Sequence, residues 1–214
     1  MTTLTRREKQ QRTRSLLLQA AARLFCQEGL EGTSVEQVAQ AAGYTKGAFY
    51  ANFRSKEELF LVMLDERFAQ ELERLDRALA GTQDPLQEAE AAAADFIHFA
   101  SDEQWPRLYF QFVAHAVRDE EFRRELAARQ QAMRDRLTEL FRRWKEGVGH
   151  APPIPLQDIT AMFFFMADGF LVDHMIDPSF SEQLYATMVG VFLRGLKAMT
   201  SELEETGRQR KEPG

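Results

Sequence analysis

The stretch "GYTKGAFYANF", from Gly43 to Phe53, sets a glycine and a lysine inside what should be a helical turn. Phe49 and Phe53 are four residues apart, which places both side chains on one face of a helix. The preceding stretch, about Ser34 to Ala41, has the apolar spacing of another short helix. Two short helices joined by a glycine-containing turn are typical of a helix-turn-helix unit.

In such a unit the second helix lies in the major groove of DNA and the first helix braces it. The side of this helix opposite Phe49 and Phe53 carries small residues, which allow DNA to approach closely, and polar side chains that can hydrogen-bond to it. Lys46 can donate to guanine O6 and N7 or to a phosphate. Tyr50 can reach a phosphate with its hydroxyl, and Lys56 lies in the first turn of the next helix, which favours an anion. The pattern therefore predicts a DNA-binding surface.

Each of these side chains also has an ordinary structural interpretation. Capping is the alternative for the hydroxyl residues, with three candidate capping boxes: Thr33 with Glu36, Ser34 with Gln37, and Ser55 with Glu58. Tyr50 can be a core aromatic residue whose hydroxyl reaches the surface. The basic residues of the N-terminal arm can be solvated or can follow the DNA backbone: Arg6, Arg7, Lys9, Arg12 and Arg14. Their occurrence together in one short window favours DNA binding.

The distribution of charge supports this interpretation. The chain of 214 residues has a formal net charge of -6. From Met1 to Lys56, however, nine Lys/Arg stand against four Asp/Glu, a local charge of +5, and the remainder carries −11. A basic N-terminal segment on an otherwise acidic chain is expected to bind a polyanion. The alternative is that basic residues cluster near the N-terminus by chance.

Cysteine content and apolar runs predict the compartment. A single cysteine, Cys26, allows no internal disulfide, which fits a reducing cytoplasm. The N-terminus has charge without an adjoining apolar segment, so no secretory signal is predicted. The most apolar run, Met162 to Val172, contains Asp168 and is short of the roughly 20 residues of a membrane span. We expect a soluble cytoplasmic protein that does not enter a membrane.

The whole chain is predicted to be all-α, because strand-like alternation is absent and good helix formers dominate. About nine helices are predicted: 5–28, 34–41, 45–52, 55–80, 85–100, 105–117, 120–147, 156–176 and 180–204, the last opened by a capping box of Ser179 with Glu182. The predicted organisation is an N-terminal three-helix head, residues 1–56, fused to a C-terminal helical bundle, residues 57–205, with a flexible tail, residues 206–214.

The segment from Leu16 to Leu64 resembles the tetracycline-repressor (TetR) family of bacterial regulators. The residues that carry the resemblance are Ala20-Ala21, Leu24-Phe25, Gly29, Thr33-Ser34-Val35, Val38-Ala39, Ala42-Gly43, Gly47, Phe49-Tyr50, Phe53 and Ser55-Lys56-Glu57-Glu58-Leu59. This match covers about a quarter of the chain, and the remainder is similar to the family only in length and helix count.

The resemblance implies a homodimeric, ligand-responsive transcriptional regulator, most often a repressor, that binds double-stranded operator DNA. The positions that it implies for DNA contacts are Ser34, Thr45, Lys46, Gly47, Ala48, Tyr50, Asn52 and Lys56. Two features depart from the family pattern. Tyr44 stands where a small aliphatic residue is usual and can join the DNA-facing surface, and Ala51-Asn52 replaces an aromatic or histidine pair. They bear on the operator sequence and not on the family.

The bundle contains candidates for the binding of a small effector. A cavity lined by aromatic residues with a few polar anchors is a usual ligand site. The candidate residues are Phe96, Phe99, Trp105, Tyr109, Phe112, His115, Phe141, Phe165 and Asp168. Ordinary packing is the alternative for each aromatic residue, because any helical core contains such side chains. The composition favours an apolar or aromatic effector.

The last two helices, about 156–176 and 180–204, are predicted to form a homodimer interface. Both carry apolar residues at helical spacing on more than one face: Ile159, Met162, Phe163, Met166 and Phe170 on one helix, and Tyr185, Met188, Val189, Phe192 and Leu196 on the other, with Gly190 allowing close approach. Burial within a subunit and burial across a two-fold axis predict the same pattern. A dimer would also bring two heads to half-sites about one helical turn apart.

Two other functions are alternatives to a regulator. A helical-bundle enzyme with two irons needs paired Glu-x-x-His motifs, and the nearest match is Asp95 with His98. The sequence has no HExxH, CxxC, GxSxG or P-loop motif, so no catalytic residue, metal or cofactor is predicted. A helical interaction protein without DNA binding would keep Lys46, Tyr50 and Lys56 without a reason.

Overall fold

The computed structural model describes residues 5–78, 85–102, 104–148 and 154–209, without the side chains at 85–89, 99–100, 143–148 and 202–209. Within these residues every regular element is a helix. The helices are α1 Arg6–Gly32, α2 Val35–Ala41, α3 Lys46–Tyr50, α4 Lys56–Ala78, α5 Pro85–Ala100, α6 Trp105–Ala116, α7 Glu120–Val148, α8 Leu156–Ile176 and α9 Glu182–Gln209. The predicted all-α class with a three-helix head is confirmed. Helix α9 continues to Gln209, through part of the tail that the sequence predicts to be flexible, and residues 210–214 lie outside the description.

The chain divides into two compact units. The first unit consists of Met1–Phe68 and Glu103–Arg129, and the second of Ala69–Asp102 and Gln130–Gly214. The first unit therefore contains the three N-terminal helices together with the start of α4, all of α6 and the start of α7. The functional boundary that the sequence places at residue 56 stays a prediction.

The core of the first unit is aromatic. Five phenylalanine side chains in it are at most 2% exposed: Phe25, Phe49, Phe53, Phe60 and Phe112. The rings of Phe60 and Phe112 are stacked with their centroids 3.5 Å apart, and Phe25 meets Phe112 edge to face. Full burial of one such side chain contributes about 1.5–3 kcal/mol. The short helices α2 and α3 thus depend on this shared core, since helices of their length are unstable alone.

Local signals at the helix ends fix the path of the chain through the head. Gly29 has a φ of +78°, so α1 is interrupted there, as a C-terminal glycine predicts. Of the two capping boxes proposed before α2, the structure forms the one between Ser34 and Gln37, with both hydrogen bonds present. Thr33 instead donates its hydroxyl to the carbonyl of Gly29, at 2.7 Å.

The turn between α2 and α3 requires its glycine. Gly43 has a φ of +77°, a left-handed conformation that residues with a side chain rarely adopt. The Gly43 N–H donates to the carbonyl of Gln40 at 3.0 Å, and the Tyr44 N–H donates to that of Ala39 at 2.8 Å. These bonds satisfy carbonyls at the end of α2 and send the chain sharply into α3.

In the second unit, α9 packs along α5 and contacts α8. The helix does not open as predicted, because α9 begins at Glu182 and the capping box between Ser179 and Glu182 is not formed. The Ser179 N–H donates to Asp177 at 2.9 Å, and the Glu182 carboxylate contacts His98 Nδ1 at 2.9 Å and accepts from Ser101. Glu182 therefore joins α9 to the end of α5, which is a tertiary contact that capping signals in the sequence do not reveal.

By length and composition α8 could cross a membrane, and 28% of its apolar window is buried. It is the one helix in the described part of the chain with this property, and it is longer than the apolar run considered from the sequence. Core helices of soluble proteins share the same length and composition, so the property does not identify a membrane span.

Candidate nucleic-acid interface

Helix α3 is short, and one of its sides is buried in the core of the first unit. Phe49 is 0% exposed and Phe53 is 2% exposed, and their rings contact each other with centroids 5.7 Å apart. Thr45 is the N-cap of α3, with its hydroxyl accepting the Ala48 N–H at 3.3 Å. Burial of these two rings explains how a helix of five residues that includes Gly47 is maintained.

The opposite side of α2 and α3 is open to solvent. Of the nine residues predicted to contact DNA, five are exposed, namely Ser34, Thr45, Lys46, Gly47 and Tyr50, and four are half-buried, namely Tyr44, Ala48, Asn52 and Lys56. We call the five exposed residues the α3 surface. Tyr50 is half exposed, and its ring meets Phe49 edge to face, so it lies at the border between core and solvent.

Lys46 does not stand alone on this surface. Its ammonium pairs with the carboxylate of Glu36, in the first turn of α2, and lies 5.9 Å from the centroid of the Tyr50 ring. The hydrogen bond with Glu36 raises the pKa of Lys46, and the same bond lowers the pKa of Glu36. Both side chains remain more than half exposed, so water and salt screen the attraction between them. Sequence spacing does not reveal that Glu36 belongs to this surface, because its contact with Lys46 crosses the turn between α2 and α3.

Asn52 faces inward more than the sequence suggests. Its amide nitrogen donates to the carbonyl of Ala48 at 2.8 Å, and its side-chain oxygen is buried without a hydrogen-bond partner. Its backbone carbonyl accepts from the guanidinium of Arg14 at 3.0 Å, and that guanidinium also lies 4.4 Å from the centre of the Phe53 ring. Arg14, which the sequence analysis assigned to a DNA-tracking arm, holds the end of α3 in place.

Lys56 is also occupied within the protein. Its ammonium donates to the backbone carbonyls of Leu30 and Thr33, at 2.7 and 2.8 Å. The Leu30 N–H in turn donates to the side chain of Gln111 on α6, at 3.1 Å. These bonds fix the loop between α1 and α2, and therefore the entry into α2, from both sides. This structural role requires only that a long cationic side chain lies near two carbonyls. Sequence spacing does not predict the contact, because Lys56 is far along the chain from Leu30 and Thr33.

The predicted effector-binding residues do not form one group. Trp105, Tyr109, Phe112 and His115 lie on α6, which belongs to the first unit. Phe112 is buried in the core of that unit, and Trp105 stacks on Phe60 and Tyr109. These aromatic side chains pack around the head, which is the ordinary alternative for an aromatic residue in a helical core.

His115 lies at the edge of the same core. Its Nδ1 is 3.5 Å from the carboxylate of Glu31, and its Nε2, which is buried without a hydrogen-bond partner, is 3.9 Å from that of Asp119. Its ring also lies beside that of Phe122, with centroids 5.4 Å apart. The position is therefore one of packing between α6, α7 and the end of α1.

The remaining candidates belong to the second unit, apart from the Phe99 side chain, which lies outside the described residues. Phe96 is near Tyr185, with ring centroids 6.2 Å apart, and Phe141 is near Phe163. Phe165 points outward and is 71% exposed. The structure thus places Phe96 half-buried against the core of this unit and Phe165 on its surface.

Asp168 is a half-buried carboxyl of the second unit. Burial raises the pKa of Asp168 to about 6, and the positive charge of Arg134 acts in the opposite direction. Burial, together with the charges of Asp168 and Glu71, raises the pKa of Tyr185 as well. Tyr185 was assigned to the dimer interface from the sequence, but it is 2% exposed within the subunit. A half-buried carboxyl whose charge acts on the Tyr185 hydroxyl can serve as a polar anchor for a ligand.

Among the described residues there is no group of three or more His, Cys, Asp or Glu side chains that could hold a metal ion. The combination of a helix-turn-helix head with an exposed polar α3 surface and a larger helical unit is that of a DNA-binding transcriptional regulator.

The comparisons with known proteins give the family. Residues 17–63 match the model of bacterial regulatory proteins of the tetR family, and residues 94–198 match the C-terminal model of BetI-type transcriptional repressors. The chain is 31% identical to the HTH-type transcriptional regulator AcrR of Shigella flexneri over 189 residues, which are 85% of this chain and 86% of AcrR. The chain therefore belongs to the TetR family, whose members bind operator DNA, form dimers and are not enzymes.

Solved structures share the fold. A protein of Mesorhizobium loti assigned to the same family superposes with a TM-score of 0.73 at 21% identity, over 92% of this chain and 98% of that one. NalD of Pseudomonas aeruginosa, described as the secondary repressor of the MexAB-OprM multidrug efflux pump, has a TM-score of 0.63 at 27% identity, over 88% and 98% of the two chains. Membership of this family excludes the enzyme and the interaction protein that were weighed from the sequence.

Proposed function

We propose that the α3 surface enters the major groove of operator DNA. The observation that carries this proposal is the arrangement of α3: Thr45, Lys46 and Tyr50 are exposed on a helix whose other side is held by the buried rings of Phe49 and Phe53. Gly47 and the half-buried Ala48 leave room for the sugar–phosphate backbone. Lys46 supplies the charged donor that can read guanine, and Tyr50 and Ser34 supply hydroxyls for phosphates.

The other three predicted contacts act in a different way. Tyr44 is half-buried beside the Gly43 turn and extends the surface at its border. Asn52 and Lys56 hydrogen-bond to backbone carbonyls of the head. We assign them the role of positioning the α3 surface, with direct DNA contact as the alternative that their variants can test.

The experiment that tests this proposal is selection of bound fragments from a pool of random duplexes. The wild-type protein is expected to enrich one sequence, and the Lys46→Ala variant is expected to enrich a different or less restricted one. Lys197→Ala, which removes an exposed lysine on α9, is the matched control and is expected to enrich the wild-type sequence. The same enriched sequence for wild type and Lys46→Ala would overturn the assignment of Lys46 to the groove.

We further propose that α8 and α9 form the homodimer interface. Large apolar side chains on these helices remain exposed in the subunit: Met162 at 38%, Phe165 at 71%, Leu184 at 41%, Met188 at 37%, Val191 at 60% and Met199 at 49%. Exposed apolar area of this kind is a usual mark of an association surface. Burial of α8 and α9 on a second copy would also account for the apolar composition of α8.

The proposed interface differs in detail from the one expected from helical spacing. Ile159, Phe170, Tyr185 and Val189 are buried within the subunit and serve its core. Gly190 is buried against Glu90 of α5, where a Cβ atom would overlap the carboxylate. Close approach at this glycine therefore occurs inside the subunit, and Phe165 is the better marker of the interface. Analytical ultracentrifugation of Phe165→Asp is expected to show monomers where the wild type shows dimers.

For regulation, we propose a repressor in the cytoplasm that leaves its operator when a small apolar or aromatic molecule binds the second unit, as the sequence predicts. Phe96, Asp168 and Tyr185 support this assignment, because they combine aromatic side chains with a half-buried carboxyl. The description of NalD as a repressor is consistent with it. A ligand screen that follows release of fluorescent operator DNA, with Asp168→Asn as the comparison variant, tests this proposal.

A further inference from the structure

The first two turns of α1 form an exposed basic segment of the head. Residues 6–12 are all exposed, and the first buried residue of α1 is Leu17. We call residues 6–12 the α1 extension. It carries one carboxylate, that of Glu8, and four cations: Arg6, Arg7, Lys9 and Arg12. Because these side chains are exposed, packing in the core of the head does not explain their charge.

The α1 extension is helical in the free protein because its first turn is capped. Thr5 and Glu8 form a capping box, in which the Glu8 N–H donates to the Thr5 hydroxyl at 3.3 Å and the Thr5 N–H donates to the Glu8 carboxylate at 2.7 Å. The side chains of the four cations make no hydrogen bond or ion pair with other residues in the described part of the chain. A preformed helix can present them to a ligand without the cost of ordering a flexible arm.

The course of α1 brings the extension past α3. Arg14 of α1 donates to the carbonyl of Asn52, just after α3, and further along α1 Phe25 meets Phe112 in the core of the first unit. Towards its N-terminus, α1 therefore leaves this core and passes the end of α3. Arg7 precedes Arg14 by seven residues, which is two helical turns, so it lies on the same face of α1 about 10 Å further out.

The phosphates beside the α3 surface require cations. Neutralisation of phosphates by lysine and arginine supplies most of the affinity of a protein for DNA of any sequence. Arg14 and Lys56 lie near α3, but both are half-buried and hydrogen-bonded to backbone carbonyls of the head. Arg7 has the same charge, an exposed side chain and a place on the face of α1 that passes α3.

We propose that Arg7 binds a phosphate of the operator backbone next to the α3 surface, so that the α1 extension is a second DNA-contacting element. This inference rests on the proposed role of the α3 surface in the major groove. Arg12 precedes Arg14 by only two residues and therefore lies about 160° away around α1. It provides an internal control of equal charge on the opposite face of the same helix.

The test compares Arg7→Gln with Arg12→Gln in the full-length protein. Both variants remove one exposed arginine from the α1 extension, so they change the net charge equally. Fluorescence anisotropy is measured over a salt series for the selected operator and for a duplex of scrambled sequence. Circular dichroism is expected to show wild-type unfolding for both variants, because neither side chain is buried.

The expected result is a loss of salt dependence in one variant. For Arg7→Gln the slope of log K against log salt should become shallower by about 0.9 for each bound subunit, which corresponds to about a five-fold loss of affinity per subunit near 0.15 M salt. The loss is expected on both duplexes, because every sequence offers phosphates. Arg12→Gln is expected to change either affinity by less than about two-fold, since salt screens a charge on the far side of the helix.

Selection from random duplexes separates this inference from the proposed function. Arg7→Gln is expected to enrich the wild-type sequence, whereas Lys46→Ala is expected to enrich another. If Lys46→Ala enriches the wild-type sequence while Arg7→Gln shows the shallower slope, the assignment of α3 to the groove fails and the phosphate contact of Arg7 stands.

Three results would overturn the inference itself. An unchanged slope in Arg7→Gln would show that Arg7 contacts no phosphate. Equal losses in Arg7→Gln and Arg12→Gln would show that net charge acts without regard to the face of α1. A changed sequence preference in Arg7→Gln would show that the residue contacts a base.

Discussion

The α2–α3 segment and the α8–α9 segment differ in how far residue type restricts their structure. In α3, the N-cap Thr45 precedes the helix, Gly47 and Ala48 are small, and Phe49 is a buried ring, so these residue types fit few environments. In α8, apolar residues occur on every side: Phe170 is buried, whereas Phe165 is 71% exposed. An apolar side chain is equally compatible with the core of a subunit, a second copy and a ligand cavity.

This difference explains why roles can be assigned to single residues of the head from the sequence, whereas in the bundle only the helices as a whole can be assigned a role. Polar and small residues on a short helix have few structural reasons to be there, so their pattern is informative about function. Apolar residues on a long helix have many such reasons.

The largest effect is expected for Phe112→Ala. Phe112 was a candidate for effector binding, but its ring is buried and stacked on Phe60. Its removal is expected to lower the free energy of unfolding by about 3–5 kcal/mol, as for other buried aromatic residues. Urea denaturation monitored by circular dichroism measures this loss.

Phe165→Ala is the matched control, since Phe165 was a candidate of the same kind but is exposed. The stability of the subunit is expected to change within about 0.5 kcal/mol, while dimer formation weakens. If Phe112→Ala and Phe165→Ala lower the stability of the subunit by similar amounts, the difference in burial between the two residues does not determine their contribution to stability.

The next effect concerns Asp168 and the pH. Because burial raises the pKa of Asp168 from 3.8 to about 6, the protonated form is favoured in the folded state. Below pH 3.8 the group has no effect on stability, and its unfavourable contribution grows as the pH rises towards about 6 and is complete above it. Asp168→Asn is therefore expected to raise the free energy of unfolding at pH 7 by about 2–3 kcal/mol.

The measurement is thermal or urea unfolding of wild type and Asp168→Asn at a series of pH values. The difference between them is expected to vanish at the acid end of this window. Asp158→Asn, at an exposed position in the first turn of α8, serves as the control. A constant difference between Asp168→Asn and wild type from acid to neutral pH would contradict a raised pKa.

Lys46→Ala is expected to weaken operator binding by about 1–3 kcal/mol, because a charged donor to a base edge is lost. The variant is expected to fold as stably as the wild type, since the side chain is exposed and pairs only with Glu36 among its described contacts. Anisotropy titrations with the selected operator measure the change, with Lys197→Ala as the control. If operator affinity is unchanged, the exposed polar residues of α3 are no more informative about function than the apolar residues of the bundle.

The sequence predicts the helices of the head well because their ends carry specific signals. Gly29, Gly43 and the Ser34–Gln37 pair lie where a turn or a cap requires them. The resemblance of residues 16–64 to the TetR family is likewise confirmed by the match of residues 17–63. These features depend on neighbours within a few positions of the chain, which is the range over which sequence patterns are informative.

Contacts between distant positions could not be predicted in the same way. Lys56 reaches carbonyls 26 and 23 residues away, and Arg14 reaches a carbonyl 38 residues away. Trp105 and Phe112 belong with the head because α6 packs on α1, which periodicity within α6 does not show. The Glu36–Lys46 pair was missed for a related reason, since it joins two helices across a turn whose geometry the sequence does not specify.

The smallest expected effect separates the two lysines of the head. The ammonium of Lys56 donates to the carbonyls of Leu30 and Thr33, and these carbonyls lose their partner in Lys56→Ala. The free energy of unfolding is expected to fall by about 1–2 kcal/mol, since these are charge-assisted bonds at a half-buried site. Because the lysine is engaged within the protein, the salt dependence of DNA binding is expected to change little. If Lys56 instead contacts a phosphate, as its place at the start of α4 predicts, the slope against log salt should fall by about one without loss of stability. Unfolding and salt titration of the same variant therefore decide whether Lys56 stabilises the head or binds the DNA.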